Sequence, residues 1–101
     1  MTWNTVEQQD FSGSPSIDSG SPSFVLQHGG RYSVEAKATA WNSGSVSLML
    51  LGPDGSTYID TGADFSANGV KTEDLPPGTY KFAVTSATGV AASVTSITIE
   101  L

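Results

Sequence analysis

The stretch Leu75-Pro76-Pro77-Gly78-Thr79-Tyr80-Lys81-Phe82-Ala83-Val84 carries the strongest indication of the fold. Two consecutive prolines end a strand, because proline has no amide hydrogen to donate to a strand ladder. Gly78 permits the bend, and Tyr80, Phe82 and Val84 then follow one another at a period of two. A tyrosine two residues beyond a corner glycine is typical of the tyrosine corner of β-sandwiches, in which the hydroxyl bonds back to upstream backbone. The stretch therefore predicts a corner between two strands of a sandwich.

Turn signals recur along the rest of the chain at intervals of ~8–12 residues, which is typical of all-β sandwiches and barrels. We therefore predict a single antiparallel β-sandwich, jelly-roll-like or Ig-like, with about seven to eight strands. The signals are His28-Gly29-Gly30, Asn42-Ser43-Gly44, Gly52-Pro53-Asp54-Gly55, Asn68-Gly69, Pro76-Pro77-Gly78 and Thr88-Gly89.

The intervals between these turns alternate in polarity. From Arg31 to Trp41 every second residue is apolar, beginning at Tyr32, which puts one set of side chains in the core and the other in water. The alanines of this interval are also compatible with a helix, but the unbroken alternation and the flanking turns favour a strand. Ser45–Leu51 shows the same period, and Thr57–Thr61 is predicted to return as a strand after the Pro53-Asp54-Gly55 turn.

Two local features predict finer detail. Asn68-Gly69 is a strong signal of a β-hairpin with a primed turn, leading into a strand at 70–75. In the last strand the apolar phase changes after Val94, because Ile97, Ile99 and Leu101 lie on the opposite parity. A β-bulge near Thr95-Ser96 would explain that shift.

The N-terminal part of the chain contains an exact repeat, Ser-Gly-Ser-Pro-Ser at 12–16 and again at 19–23. Such a composition cannot bury enough apolar surface to fold alone. We therefore divide the chain into an N-terminal strand or arm at 1–22 and a β-sandwich domain at 23–101. Two interpretations stay open: a mobile loop within one monomer, or an arm whose residues Trp3, Val6 and Phe11 dock on a neighbouring subunit.

Composition excludes several classes of partner. The 101 residues contain no cysteine and carry a formal net charge of −6, with only four basic residues. Without a basic stripe we expect no binding to nucleic acid, and the acidic balance argues against an anionic membrane surface. The first ten residues have neither a positive nor an apolar segment, so we expect no signal peptide and synthesis in the cytoplasm.

No catalytic or cofactor motif is present, and we expect no enzyme activity, no cofactor and no metal. His28 is the only histidine, and no G-x-S-x-G nucleophile elbow occurs. Carboxylates are common ligands of calcium, but the EF-hand spacing is absent and Asp54-Gly55 is sufficiently explained as a turn. The carboxylates considered are Asp54, Asp60, Asp64, Glu73 and Asp74.

Two aromatic residues, Trp41 and Tyr58, fall on the outward parity of their strands. Exposed aromatic rings on a sandwich serve either a protein interface or the stacking of a sugar ring. The third interpretation is that Trp41 folds over the end of the core. Trp41 and Tyr58 therefore join Trp3, Val6 and Phe11 as candidate interface residues.

Three stretches from Phe24 onward belong together: Gly29-Gly30-Arg31-Tyr32-Ser33-Val34, Leu51-Gly52-Pro53-Asp54-Gly55-Ser56 and Leu75-Pro76-Pro77-Gly78-Thr79-Tyr80. In these stretches the chain resembles small virion proteins of tailed bacteriophages and prophages, including head decoration or cement proteins.

The resemblance implies a non-enzymatic, β-rich virion component that binds the major capsid protein or another virion protein and stabilises the particle. A homo-oligomer, with a trimer favoured, is the expected assembly. A carbohydrate-binding β-sandwich module and a tail or neck adaptor are the alternative functions.

Overall fold

A computed structural model of the chain describes residues 8–11 and 17–97. These residues form eight strands, which pair antiparallel in two four-stranded sheets. The predicted all-β sandwich is therefore confirmed. The strands are β1 (Gln8–Asp10), β2 (Phe24–Leu26), β3 (Gly30–Lys37), β4 (Ser45–Leu51), β5 (Tyr58–Phe65), β6 (Gly69–Leu75), β7 (Gly78–Thr85) and β8 (Ala91–Ser96).

The strand order decides between the two predicted sandwich types. Sheet A has the order β1-β8-β3-β6, and sheet B has the order β2-β7-β4-β5. Strands pair from the outside of the sequence inward, as β1 with β8, β2 with β7, β3 with β6 and β4 with β5. A long antiparallel hairpin that rolls up on itself produces this nesting. The fold is the eight-stranded jelly roll.

The core lies between the two sheets and follows the alternation of the sequence. In β3 the side chains of Tyr32, Val34 and Ala36 are buried, while Arg31, Glu35 and Lys37 are exposed. The helical interpretation of this interval is therefore wrong. The strand ends at Lys37 rather than at Trp41, and the chain beyond it makes only an isolated bridge between Ala40 and Thr88. The core members are Ile17, Phe24, Leu26, Tyr32, Val34, Ala36, Val46, Leu48, Ala63, Phe65, Leu75, Tyr80, Phe82, Ala87, Val90, Ala92 and Val94.

The hairpin predicted at Asn68-Gly69 is wrong. β5 and β6 flank this turn, but β5 belongs to sheet B and β6 belongs to sheet A, so the chain crosses from one sheet to the other. Phe65, the last residue of β5, and Leu75, the last residue of β6, are both buried in the core between the two sheets. A jelly roll needs a crossing at this point, because β6 must pair with β3.

The β-bulge predicted near Thr95-Ser96 is also wrong for the residues described. β8 pairs with β3 in constant register up to Ser96, and Ile97 continues the alternation on the outer side, where it is 41% exposed. The irregularity lies instead between β4 and β5, where the register shifts between Ser47 and Met49. Gly62, with φ of 95°, supplies the left-handed backbone that this bulge requires. Ile99 and Leu101 lie outside the described residues.

The described part of the N-terminal segment packs on its own chain. β1 is an edge strand of sheet A, and the Phe11 ring contacts the rings of Phe24 and Phe82 at centroid distances of 5.6 and 6.0 Å. Ile17 is buried in the core, and Ser21 exchanges two hydrogen bonds with the backbone of Phe82. Residues 12–16, the first copy of the repeat, lie outside the described residues.

Candidate interaction surface

The two outer faces of the sandwich differ in chemistry. The outer face of sheet A is dominated by charged and hydroxyl side chains, among which Arg31 and Asp74 form an ion pair of 3.2 Å across β3 and β6. Both partners are largely exposed, so this pair contributes little to stability. The residues of this face are Asp10, Arg31, Ser33, Glu35, Lys37, Val70, Thr72, Asp74, Ala91, Ser93, Thr95 and Ile97.

Sheet B carries larger apolar side chains on its outer face. Met49 and Leu51 of β4 alternate with the buried Leu48, and Tyr58 is paired with Leu51 across the ladder. Val25 of the edge strand β2 is 53% exposed. Because paired residues of neighbouring strands point to the same side of a sheet, Leu51 and Tyr58 lie side by side, and Val25 lies on the same face beyond Thr79 of β7. We call this surface the apolar outer face, and it consists of Val25, Met49, Leu51, Tyr58 and Ala83.

One lysine and two aspartates lie beside the apolar outer face. Lys81 is paired with Met49, and its Nζ lies 4.3 Å from the centroid of the Tyr58 ring. The lysine stem therefore crosses β4, and its ammonium group is engaged with the aromatic ring. Asp60 and Asp64 on β5 are exposed. Asp60 Oδ1 accepts a hydrogen bond of 2.7 Å from the N–H of Gly62 in the bulge. Two carboxylates and one ammonium group leave the net charge at this border negative.

Asp54 adds a third carboxylate in the loop between β4 and β5. Its Oδ2 accepts a hydrogen bond from the Thr57 hydroxyl at 2.6 Å, and its Oδ1 accepts from the N–H groups of Thr57 and Ser56. These bonds, the Thr57 hydroxyl foremost, lower the pKa of Asp54 from 3.8 to about 2. The carboxylate of Asp54 therefore serves the turn and stays ionised.

The structure places Trp41 at the end of the sandwich. Its ring is partly buried against the core, and its Nε1–H donates a hydrogen bond of 2.9 Å to Asn68 Oδ1. This is the contact that the local-packing interpretation expects. Tyr58 lies on the apolar outer face and Phe11 lies in the aromatic cluster of its own chain, so the structure does not bring these three residues together. Trp3 and Val6 lie outside the described residues.

The carboxylates considered as metal ligands and the single histidine do not form a common site among the described residues. Within residues 8–11 and 17–97 no three His, Asp or Glu side chains converge as metal ligands. The carbonyl of His28 accepts the hydrogen bond of the Tyr32 hydroxyl. Among the residues described, no helix is long and apolar enough to cross a membrane.

Sequence reasoning missed most of the apolar outer face. It identified Tyr58. It did not identify Met49 and Leu51, because the sequence analysis of β4 considered only the residues that face the core. A signal was present, because Leu48, Met49, Leu50 and Leu51 are consecutive apolar residues and cannot all face one core. The sequence around Val25 gives no such indication, because the residues beside Val25 depend on the pairing of β2 with β7.

The fold and surface thus define a single jelly-roll domain with one apolar outer face. No family model matches the sequence, and no curated protein matches it. Among solved structures, the chain is similar to the crystal structure of the SPBc2 prophage-derived protein YomS, with a TM-score of 0.59 and 18% sequence identity. The similarity covers 95% of this chain and 99% of that chain. At this level of identity it establishes the shared fold.

Proposed function

We propose that the chain is a non-enzymatic structural protein of a tailed-phage particle that binds the capsid surface as a decoration or cement protein. The likeness to a prophage-derived protein over nearly the whole of both chains is the observation that carries the proposal. Jelly rolls are also a common architecture of viral capsid domains. The protein is then made in the host cytoplasm, and its partner is the major capsid protein or another virion protein.

The apolar outer face of sheet B is the surface that we propose for this contact. It presents Val25, Met49, Leu51 and Tyr58, whereas the outer face of sheet A is mostly charged or hydroxylated. Val25 is exposed and Met49, Leu51 and Tyr58 are part-exposed, and apolar patches bordered by polar residues are typical of binding sites for proteins. Because Asp60 and Asp64 border the face, the complementary partner is an apolar surface fringed by lysine or arginine.

We further propose that the protein acts as a homo-oligomer, for which the resemblance to virion proteins favours a trimer. Several weak contacts made together raise the overall affinity for a repeating shell without any single strong contact. Light scattering on the full chain and on a chain lacking residues 1–22 measures the assembly directly. A closed oligomer that needs this segment would support the arm interpretation.

The test of the main proposal is immunogold labelling of purified phage particles from the host strain, with heads and tails separated before labelling. Label on heads supports decoration, and label on tails alone favours the tail or neck adaptor. Particles without label contradict both. In a separate binding assay, purified protein is added to heads that lack it. Met49→Glu is expected to abolish this binding, whereas the matched Thr72→Glu on the outer face of sheet A is expected to leave it unchanged.

A carbohydrate-binding module is the second candidate, favoured by the part-exposed Tyr58 ring on a fold that lectins also use. One side of that ring is covered by the Lys81 ammonium group. A glycan array probed with the native chain, Tyr58→Ala and Trp41→Ala tests this candidate. Glycan binding that either substitution removes would favour it over the virion function.

A further inference from the structure

The carboxamide of Asn68 is held by two donors at the crossing between the sheets. Its Oδ1 accepts one hydrogen bond of 3.0 Å from the backbone N–H of Ala38 and another of 2.9 Å from Trp41 Nε1–H. Asn68 is exposed, and the next residue is Gly69, the exposed first residue of β6. The structure thus combines an asparagine followed by glycine with two N–H groups aimed at one carboxamide oxygen.

We propose that Asn68 is a site of spontaneous deamidation, and that the folded structure promotes the reaction. The backbone nitrogen of Gly69 loses its proton to solvent hydroxide and attacks Cγ of Asn68, forming a new C–N bond. The electron pair of the carboxamide C=O moves onto Oδ1. When that C=O re-forms, the carboxamide nitrogen takes up a proton and leaves as ammonia. Water then opens the resulting succinimide at either carbonyl, giving an aspartyl or an isoaspartyl residue.

The two donors act on the step in which charge develops. Attack at Cγ turns Oδ1 into an oxyanion, and N–H groups at 2.9 and 3.0 Å from that oxygen already occupy the positions of an oxyanion hole. They are in place before the reaction, so no reorganisation is needed when the charge forms. Asparagine is among the residues that are chemically labile in proteins, and here the fold adds electrophilic activation.

Gly69 supplies the attacking nitrogen, and both Asn68 and Gly69 are exposed, so water can reach this site. Gly69 has no side chain, and a Cβ added there would meet no atom closer than 3.8 Å. The space on the side-chain side of Gly69 is therefore open. This also means that Gly69→Ala introduces no clash, so it slows the reaction by crowding the nitrogen without disturbing the fold.

The product changes the charge at this end of the sandwich. Conversion of one neutral carboxamide into a carboxylate takes the formal net charge from −6 to −7. An aspartate at this position still accepts from Ala38 and Trp41, now by stronger charge-assisted bonds. The isoaspartyl product instead lengthens the main chain between β5 and β6. Either product lies at the rim of an open depression of about 430 Å³ that Glu35, Lys37 and Val70 help to line.

The test follows deamidation by peptide mapping and mass spectrometry of the full chain at 37 °C and pH 8, native and in urea. Asn42 is an internal reference, because its Nδ2 donates to the Ser86 carbonyl and its oxygen receives no such pair of bonds. We expect Asn68 to react faster in the native chain than in urea, and we expect this ratio of rates to be larger for Asn68 than for Asn42, which serine follows. Trp41→Phe, which removes one donor, is expected to slow the native reaction about threefold to tenfold. Gly69→Ala is expected to slow it further.

The opposite results are equally informative. A native chain that reacts more slowly than the unfolded chain, or a Trp41→Phe variant that reacts faster, would mean that the two bonds pin the carboxamide and protect it. Either result overturns the proposal. Thermal melting of each variant checks that it is folded, and the comparison of native and unfolded chains decides the question even if Trp41→Phe does not fold.

Discussion

Tyr32 and Tyr80 make the same hydrogen bond at two neighbouring corners of the jelly roll. Each hydroxyl donates to the carbonyl four residues upstream, Tyr32 to His28 and Tyr80 to Pro76. The corners join β2 to β3 and β6 to β7, and these strands pair with one another. A Cβ added at Gly29 would lie 2.9 Å from Pro77 Cδ, so the two corners are in close contact. The same device thus turns the chain from one sheet to the other twice.

Tyr32→Phe and Tyr80→Phe are each expected to lower the free energy of unfolding by about 1–2 kcal/mol. The reason is that a carbonyl at the corner loses its donor while the ring keeps its packing. Urea unfolding monitored by far-UV circular dichroism measures the loss. Tyr58→Phe, on the exposed outer face, is the control and is expected to change stability by less than about 0.5 kcal/mol. Equal values for all three would show that the corner bonds contribute nothing.

Alkaline pH provides a separate test of the Tyr80 corner. Burial raises the pKa of Tyr80 from 10.0 to about 12. Above pH 10 the unfolded chain releases this proton while the folded chain retains it, so stability is complete below pH 10 and falls as the pH rises to about 12. Unfolding curves at pH 9 to 12 are expected to show this decline, and Tyr80→Phe is expected to reduce it. An unchanged decline in that variant would assign the effect to other groups.

Phe11→Ala tests whether the N-terminal strand belongs to the domain of its own chain. Its ring lies in contact with Phe24 and Phe82, and it is only partly buried, so we expect a loss of about 2–3 kcal/mol. Val70→Ala, at a side chain that is 64% exposed, is the control. If a neighbouring subunit supplied this strand, the loss would depend on protein concentration. Denaturant unfolding at two protein concentrations a hundredfold apart distinguishes the two cases.

Gly44→Ala is expected to destabilise the domain by at least about 2 kcal/mol, because a Cβ at this position would lie 1.9 Å from the Thr85 carbonyl oxygen. Gly44 follows a tight turn in which Asn42 and Ser43 both have positive φ, and its N–H donates to the Trp41 carbonyl. Gly69→Ala, which meets no close atom, is the matched control. Thermal unfolding of the two variants is the measurement, and similar midpoints would contradict the close approach.

The sequence predicted what depends on neighbouring residues. Period-two alternation identified the buried side of β3, including Tyr32 and Val34, because side chains alternate across a strand whatever its partners are. The glycine and tyrosine of the 78–80 corner indicated the hydroxyl bond that Tyr80 makes, since both groups lie within five residues of one another. Strand content and the position of this corner were therefore available without the tertiary structure.

The tertiary structure alone decided which strand pairs with which. Asn68-Gly69 reverses the chain in either case, but the choice between a hairpin and a crossing depends on β6 pairing with β3, far away in sequence. The bulge likewise lies at Gly62, where β5 adjusts to β4, and not in β8. The apolar outer face exists because Leu51 and Tyr58 come from two strands that only pairing brings side by side, and because β7 joins β2, with Val25, to the same sheet. The alternation along each strand determines the side of the sheet to which a side chain points. The neighbours of that side chain depend on strand pairing, because residues far apart in sequence must bury one common core.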